Sequence, residues 1–401
     1  MGLIAATCPS CGASIQLPEG KDRCFCTFCG NQILTEAAIN YHRVKMEGEV
    51  AVRAADFDVQ AGVLMGYHGA STEVVLPDTV KTIDRDVFKG LPVTSITLPY
   101  QVDWLSYDVV RGIPTLKDIH YPYDDSGWKS YDGVLYSLVD RELIVYPANH
   151  QAETYTVVGG TRKATFRDNP NLKHLIIEPA DDGTLPELTI FRCMHLERID
   201  LPATGVGSLI LEKCPEVREL SLPAATKTLR VANCPALARI DCGAPLESLH
   251  LQSAPISHFN EDGCIRLAPG TRNVHIEGIS AKRIFVNKEI ETVRSWQPFN
   301  EITFQDGIRE LNDLYFRQLS DVQVILPPSV EEVSGDTFFS TGRKISFTFP
   351  NMDAAKIEDG ALRTWRSNRW REQGRCPACG GNWKGLFKKV CDGCGREKPK
   401  A

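Results

Sequence analysis

The sequence predicts a mainly β repeat solenoid, a parallel sheet of stacked coils, with a small cysteine-rich domain at each terminus. Three observations carry this reading. An apolar residue followed by proline recurs through the middle of the 401-residue chain, an alternating apolar stretch precedes many of these prolines, and eight of the 14 cysteines fall into C-x-x-C pairs, two pairs at either end.

The N-terminal set reads Cys8-Pro9-Ser10-Cys11-Gly12 and Cys26-Thr27-Phe28-Cys29-Gly30, with 14 residues between Cys11 and Cys26. Two residues between paired cysteines let both sulfurs reach one ion at about 2.3 Å, and two such pairs complete a tetrahedron. The glycine that follows each pair permits the tight turn. The C-terminal set repeats the design with Cys376-Pro377-Ala378-Cys379-Gly380 and Cys391-Asp392-Gly393-Cys394-Gly395, with 11 residues between Cys379 and Cys391. Four thiolates leave no open coordination position, so two structural Zn2+ ions are expected rather than catalytic metal. A redox dithiol would need one pair in a βαβ context. Cys24 is a spare, because only Cys26 makes the C-x-x-C spacing with Cys29. Both sets resemble the short CPxCG zinc ribbons at the ends of many bacterial cytoplasmic proteins.

Between them, apolar–proline pairs stand at Leu76-Pro77, Leu98-Pro99, Tyr121-Pro122 and Tyr146-Pro147, at Leu201-Pro202 and Leu222-Pro223, and at Leu326-Pro327 and Phe349-Pro350, with the prolines of each run 21 to 25 residues apart. Counting from Pro77, Pro99 and Pro327, the third residue is Val80, Val102, Val330; the sixth is Ile83, Leu105, Val333; the eleventh is Phe88, Val110, Phe338. Stretches such as Ile96-Thr97-Leu98 and Leu220-Ser221-Leu222 alternate with period two, as a strand with one buried face does. One such strand cannot bury its apolar side alone, so successive coils must stack. The pattern resembles the BspA-like branch of leucine-rich repeats, strongly over 57–147 and 302–350, less closely over 169–242, and poorly over 243–301, where the period is irregular. About 13 coils fit between 57 and 350, a sheet of roughly 60 Å at the ~4.8 Å strand spacing.

Cys193, Cys214 and Cys234 recur 21 and 20 residues apart. Small buried residues at one repeat position account for such a ladder. Cys242 and Cys264 follow no repeat rule.

With the outer members of each pair buried, the residues between and before them face outward: Glu73, Asp118 and His120, Arg198 and Asp200, Glu219, Arg239 and Asp241, and Glu301, beside the less polar Val75, Thr97 and Ile325. Six acids against two bases make this stripe acidic, a face suited to a protein partner and unsuited to phosphate backbones. The tail differs. From residue 355 to 401 there are 12 Lys/Arg against 5 Asp/Glu, leaving 33 against 46 elsewhere and −6 in total. Arg363, Arg366, Arg369, Trp370, Lys384, Lys388 and Lys389, with Trp365 and Trp383, combine basic charge and aromatic rings. That combination serves either nucleic-acid binding or a helix docking its tryptophans on a solenoid end.

No G-x-S-x-G elbow, P-loop or H-E-x-x-H occurs, and the nine histidines form no short-range ligand pair. A non-enzyme is expected. No apolar run approaches the ~18 residues that would span a bilayer. The start lacks the basic residues of a secretory signal and the Ser or Thr of a myristoylation site. These features, with cysteines spaced for metal rather than disulfides, point to the cytoplasm of a bacterium and away from the surface role that extracellular members of the repeat family imply. The expected domains are a ribbon at 1–35, a linker at 36–56, the solenoid at 57–350, a basic helical linker at 351–374 and a second ribbon at 375–401. The ribbons either cap the solenoid or hang free.

Overall fold

Coils turn at their prolines in a common way. The proline carbonyl accepts the N–H of the residue three further on: Pro77 from Val80 (3.0 Å), Pro99 from Val102 (3.3 Å), Pro223 from Thr226 (3.0 Å), Pro327 from Val330 (3.3 Å). Proline cannot donate to a ladder, so the strand ends there. The turn then sends the third, sixth and eleventh residues inward, and Val80, Ile83 and Phe88, like Val330, Val333 and Phe338, are all buried. Each such side chain contributes about 1.5–3 kcal/mol by leaving water.

The computed structural model describes residues 3–7, 13–18, 23–28, 32–34, 56–102, 105, 107–123, 127–179, 186–340, 344–386 and 388–399. The chain forms two compact units, Met1–Asp200 and Leu201–Ala401, so the division falls within the repeat array. Among the described residues no helix is long and apolar enough to cross a membrane.

In the first unit, Leu3–Thr7 pairs antiparallel with Ser14–Pro18, and Arg23–Phe25 with Gln32–Leu34. Glu73–Val75, Ser95–Thr97 and Asp118–His120 form a parallel sheet over a core that includes Leu64, Leu76, Phe88, Ile96 and Ile119. Thr154–Val157, His174–Ile177 and Arg198–Asp200 form another. The expected linker at 36–56 lies almost wholly outside the described residues.

The last coils of the first unit, with Lys163–Arg167 and Glu187–Phe191 beside the sheet just named, and those of the second unit depart from one strand per coil. Each coil carries two strands on two sheets. The expected strands of the repeat, Glu219–Leu222, Val322–Ile325 and Ile345–Thr348 before prolines and Arg239–Cys242 and Glu301–Phe304 without one, make one sheet. The other holds Ser208–Glu212, Thr228–Ala232, Ser248–Gln252, Asn273–Glu277, Thr292–Trp296, Leu314–Leu319 and Phe338–Ser340. These strands also alternate, as in Leu209/Leu211 and Leu249/Leu251, both pairs buried, but no proline marks their ends. The region 243–301 is regular too: Ser248–Gln252 pairs residue for residue with Asn273–Glu277, and Asn273–Glu277 with Thr292–Trp296. Its period looks broken because the coil gains an antiparallel hairpin, His258–Glu261 with Cys264–Arg266.

A left-handed residue turns the corner between the two strands of a coil. Lys213 (φ 56°), Asn233 (φ 54°) and Ser253 (φ 50°) do so in the second unit, Asp168 and Arg192 in the first. Each of the three donates its N–H to the last strand residue of the next coil, Ala232, Gln252 and Glu277 respectively, at 2.9–3.0 Å. The residue after the corner points into the core, and there stand Cys193, Cys214 and Cys234, all 0 % exposed. Their thiols face the carbonyls two residues back. The cysteine ladder is therefore a packing feature, and burial raises the Cys193 thiol to about 12. Cys242 is buried at the register position of Leu222.

Candidate metal centre and binding face

The helix Gly360–Glu372 leads into the C-terminal cysteine set. Asp359 caps it, accepting from Leu362 N (2.8 Å) and also from Phe338 N (2.8 Å), which pins the helix start to the last coil. Trp365 packs on Phe347, ring centres 5.6 Å apart. Trp370 is buried, donates to Asp353 (2.6 Å) and lies beneath Arg366. Arg375 bonds the other Asp353 oxygen (2.8 Å) and, through Nε, the Gly380 carbonyl (2.5 Å). A Cβ on Gly380 would stand 2.7 Å from the Trp370 ring, so the first cysteine turn rests directly on the helix.

The four thiols converge. Cys376 Sγ lies 3.7 Å from Cys394 Sγ, Cys379 Sγ lies 3.3 Å from Cys391 Sγ, and all four sit within 4.8 Å of one another. A tetrahedron with metal–sulfur bonds of about 2.3 Å has edges near 3.8 Å, so the set could hold one metal ion. The two turns are near copies. Cys376 N donates to Gly381 O (2.8 Å) and Gly380 N to Cys376 O (2.8 Å); Cys391 N donates to Arg396 O (2.9 Å) and Gly395 N to Cys391 O (3.0 Å). Gly393 N points at Cys391 Sγ (3.4 Å). Burial opposes ionisation of Cys391, but hydrogen bonds from Cys394 N–H, the Cys379 thiol and Gly393 N–H prevail and lower it to about 7.

Of the N-terminal set, Cys8, Cys11 and Cys29 lie outside the described residues. Cys26 is buried and accepts from Phe28 N (3.4 Å), the contact Gly393 makes with Cys391.

The outward stripe is more mixed than its sequence suggests. Glu73 aligns with Ser95 and Asp118, while Val75 aligns with Thr97 and His120; Glu73 and His120 are exposed, but Val75 and Thr97 are buried. Asp200 is held by Arg198 (2.7 Å) and His174 (2.8 Å), chiefly by Arg198, which lowers its pKa. In the second unit Glu219 aligns with Arg239 and His258. Arg239 grips Asp241 (2.8 and 3.0 Å) and lowers its pKa; His258 bonds both Asp241 (3.0 Å) and Asp262 (2.6 Å). Glu301 aligns with Arg283 and Gln323. The hairpin and its neighbour add His258, Arg266 and Arg283 to a face on which the sequence placed six acids against Arg198 and Arg239.

The second sheet presents a row that sequence reading missed. Ile210, Arg230, His250, His275, Arg294 and Tyr315 align across six strands. His250 and His275 stack at 4.3 Å, Trp296 stands 5.3 Å from His275, and Arg230 bonds Glu212 (2.7 Å).

The basic tail is largely engaged within the protein. Arg366 donates to the carbonyls of Met352 (3.2 Å) and Ala355 (3.0 Å), Arg369 pairs with Glu372 (3.2 Å), Lys384 with Asp392 (3.6 Å), and Lys388 with Glu397. Arg363 and Lys389 are exposed.

Residues 67–131 and 291–368 match the profile of the BspA type leucine rich repeat region, in six copies. No curated protein matches the chain. Among solved structures, the pneumococcal vaccine antigen PcpA is similar at 17 % identity and TM-score 0.36, over 69 % of this chain and 67 % of that one. A leucine rich cell surface protein from Faecalibacterium prausnitzii is similar at 15 % identity and TM-score 0.28, over 70 % of this chain and 55 % of that one.

Proposed function

We propose that this protein is a non-enzymatic scaffold that recognises another protein through the outward face of its repeat sheet. Parallel register carries the reading: it stacks Glu219, Arg239 and His258, and then Arg283, Glu301 and Gln323, into rows of polar side chains. Solenoids use such extended faces for recognition. Glu73, Asp118, His120, Arg198, Asp200, Glu219, Asp241 and Glu301 are the contact residues in this reading. Structural zinc belongs to it at both ends, on Cys376, Cys379, Cys391 and Cys394 and on Cys8, Cys11, Cys26 and Cys29. The compartment is a reducing cytoplasm, where thiolates stay available to metal and the buried cysteines stay unoxidised.

The test is affinity purification of the full chain from its native host, with and without nuclease, repeated with Glu219→Lys and Glu301→Lys together. A partner that survives nuclease and is lost with the double variant supports the reading. A partner retained by the variant overturns it. The alternative, an adaptor holding nucleic acid on its basic C-terminal ribbon, is weakened by the burial of Trp370 and the engagement of Arg366. A nuclease-sensitive, salt-dependent complex would favour it.

A further inference from the structure

The strand Ile345–Thr348 is last in the order of its eight-stranded sheet, with Val322–Ile325 as its one strand neighbour among the described residues. The register pairs Ile325 with Thr348, and Leu326 N donates to Thr348 O (2.9 Å). In a parallel pair this directs the main-chain groups of Ser346 and Thr348 toward Val322–Ile325 and those of Ile345 and Phe347 the opposite way. No partner for that second set occurs among the described residues. A sheet edge left so is a template for another strand.

The helix Gly360–Glu372 caps the coil without covering this edge. It buries Leu362 and Trp370 and sets Trp365 against Phe347, yet a cleft of about 860 Å³ remains between helix and strand. The cleft runs along every residue from 344 to 350. Its opposite wall is one helix face, with Ala361, Thr364, Trp365 and Asn368. The volume lies within the ~300–1,000 Å³ of ligand clefts. Lys344 and Arg369 border it, against the single acid Glu372.

We propose that this cleft binds one extended, acidic segment of another protein, which adds to Ile345–Thr348 as a further strand. Main-chain hydrogen bonds to Ile345 and Phe347 supply affinity; Trp365 receives an apolar side chain, and Lys344 selects for acid, joined by Arg369 when an incoming carboxylate displaces its partner Glu372. This is β-strand addition. It is independent of the recognition proposed for the outward strand face, which uses other residues.

The test pans a phage library of random nine-residue peptides against the full-length chain, then measures binding of the enriched peptides by fluorescence anisotropy. Two variants serve as probes. Ile345→Pro removes an outward N–H at an edge position where proline is tolerated, and Asn368→Trp fills the cleft from an exposed helix position, leaving the fold intact. The expected result is enriched peptides rich in Asp, Glu and β-branched residues, weakened at least about tenfold by each variant, and slowed amide exchange at Ile345 and Phe347 on binding. The proposal is overturned if no peptide is enriched, if Asn368→Trp binds the peptides as the parent does, or if the edge instead pairs with a second copy of the chain, seen as a dimer that Ile345→Pro dissociates.

Discussion

Lys213 shows how the coil is built from one residue's backbone. Its φ of 56° lies in the left-handed region, which costs an ordinary L-residue roughly 1–2 kcal/mol, and it persists because the corner N–H reaches the Ala232 carbonyl. Lys213→Gly relieves that strain while adding chain entropy to the unfolded state, so it should leave stability unchanged or raise it by up to about 1 kcal/mol. Lys213→Val should lower stability by about 1–2 kcal/mol, since branching at Cβ worsens the same clash. Urea denaturation of the two variants checks both signs. The neighbouring Cys214 was legible as buried from its recurrence, whereas nothing in the sequence marked Lys213 as a corner, because glycine and asparagine are the usual signals and lysine is not one.

At the scale of strands and helices, the row Arg230–His250–His275–Arg294 joins packing to pH. Burial lowers the pKa of both histidines below 6.5, and Arg230, with Arg294 at His275, adds to it against the opposing Glu212 and Glu277. The unfolded chain therefore takes up protons first as pH falls. Stability is complete above 6.5 and is lost as pH falls from there toward the lowered folded values. Asp200, Asp241 and Glu261 have lowered carboxyl pKa values and lose their contributions only in more acid solution. His275→Gln should accordingly flatten the change in urea midpoint between about pH 7.5 and about pH 5.5. An unchanged slope would show that the stack does not titrate. The C-terminal helix carries the second expectation at this scale: Trp370→Ala removes a buried ring and the Asp353 bond, costing about 3–5 kcal/mol, and should make the junction before Cys376 sensitive to limited proteolysis while the thiols still take up metal.

For the chain as a whole, the repeats and the cysteine sets stand on different physics. Coils bury apolar side chains against neighbouring coils, so their cores should stand without metal. The C-terminal set has little apolar core of its own, with Cys376 and Cys391 its buried cysteines, so its order should depend on metal. A chelator strong enough to strip zinc should release zinc and lose amide protection over 376–398, leaving the strands of both units protected. Cys379→Ser should lower the zinc content by one per chain. Loss of the parallel strands on chelation would contradict this separation.

Sequence by itself determined the coil, the strand that ends at a proline, the repeating apolar residues at the third, sixth and eleventh places, and the C-terminal thiol set, because each is a local rule: a missing donor, a period of two, a spacing that brings two sulfurs to one point. Tertiary structure decided the rest. It gave the coils of the second unit a second strand, carried a regular register through 243–301 around an inserted hairpin, added His258 and Arg283 to the acidic stripe, and set Trp365 against Phe347 and buried Trp370. Those features depend on which residues lie side by side across a coil of chain, and neighbours some 20 residues apart leave no mark on the sequence between them.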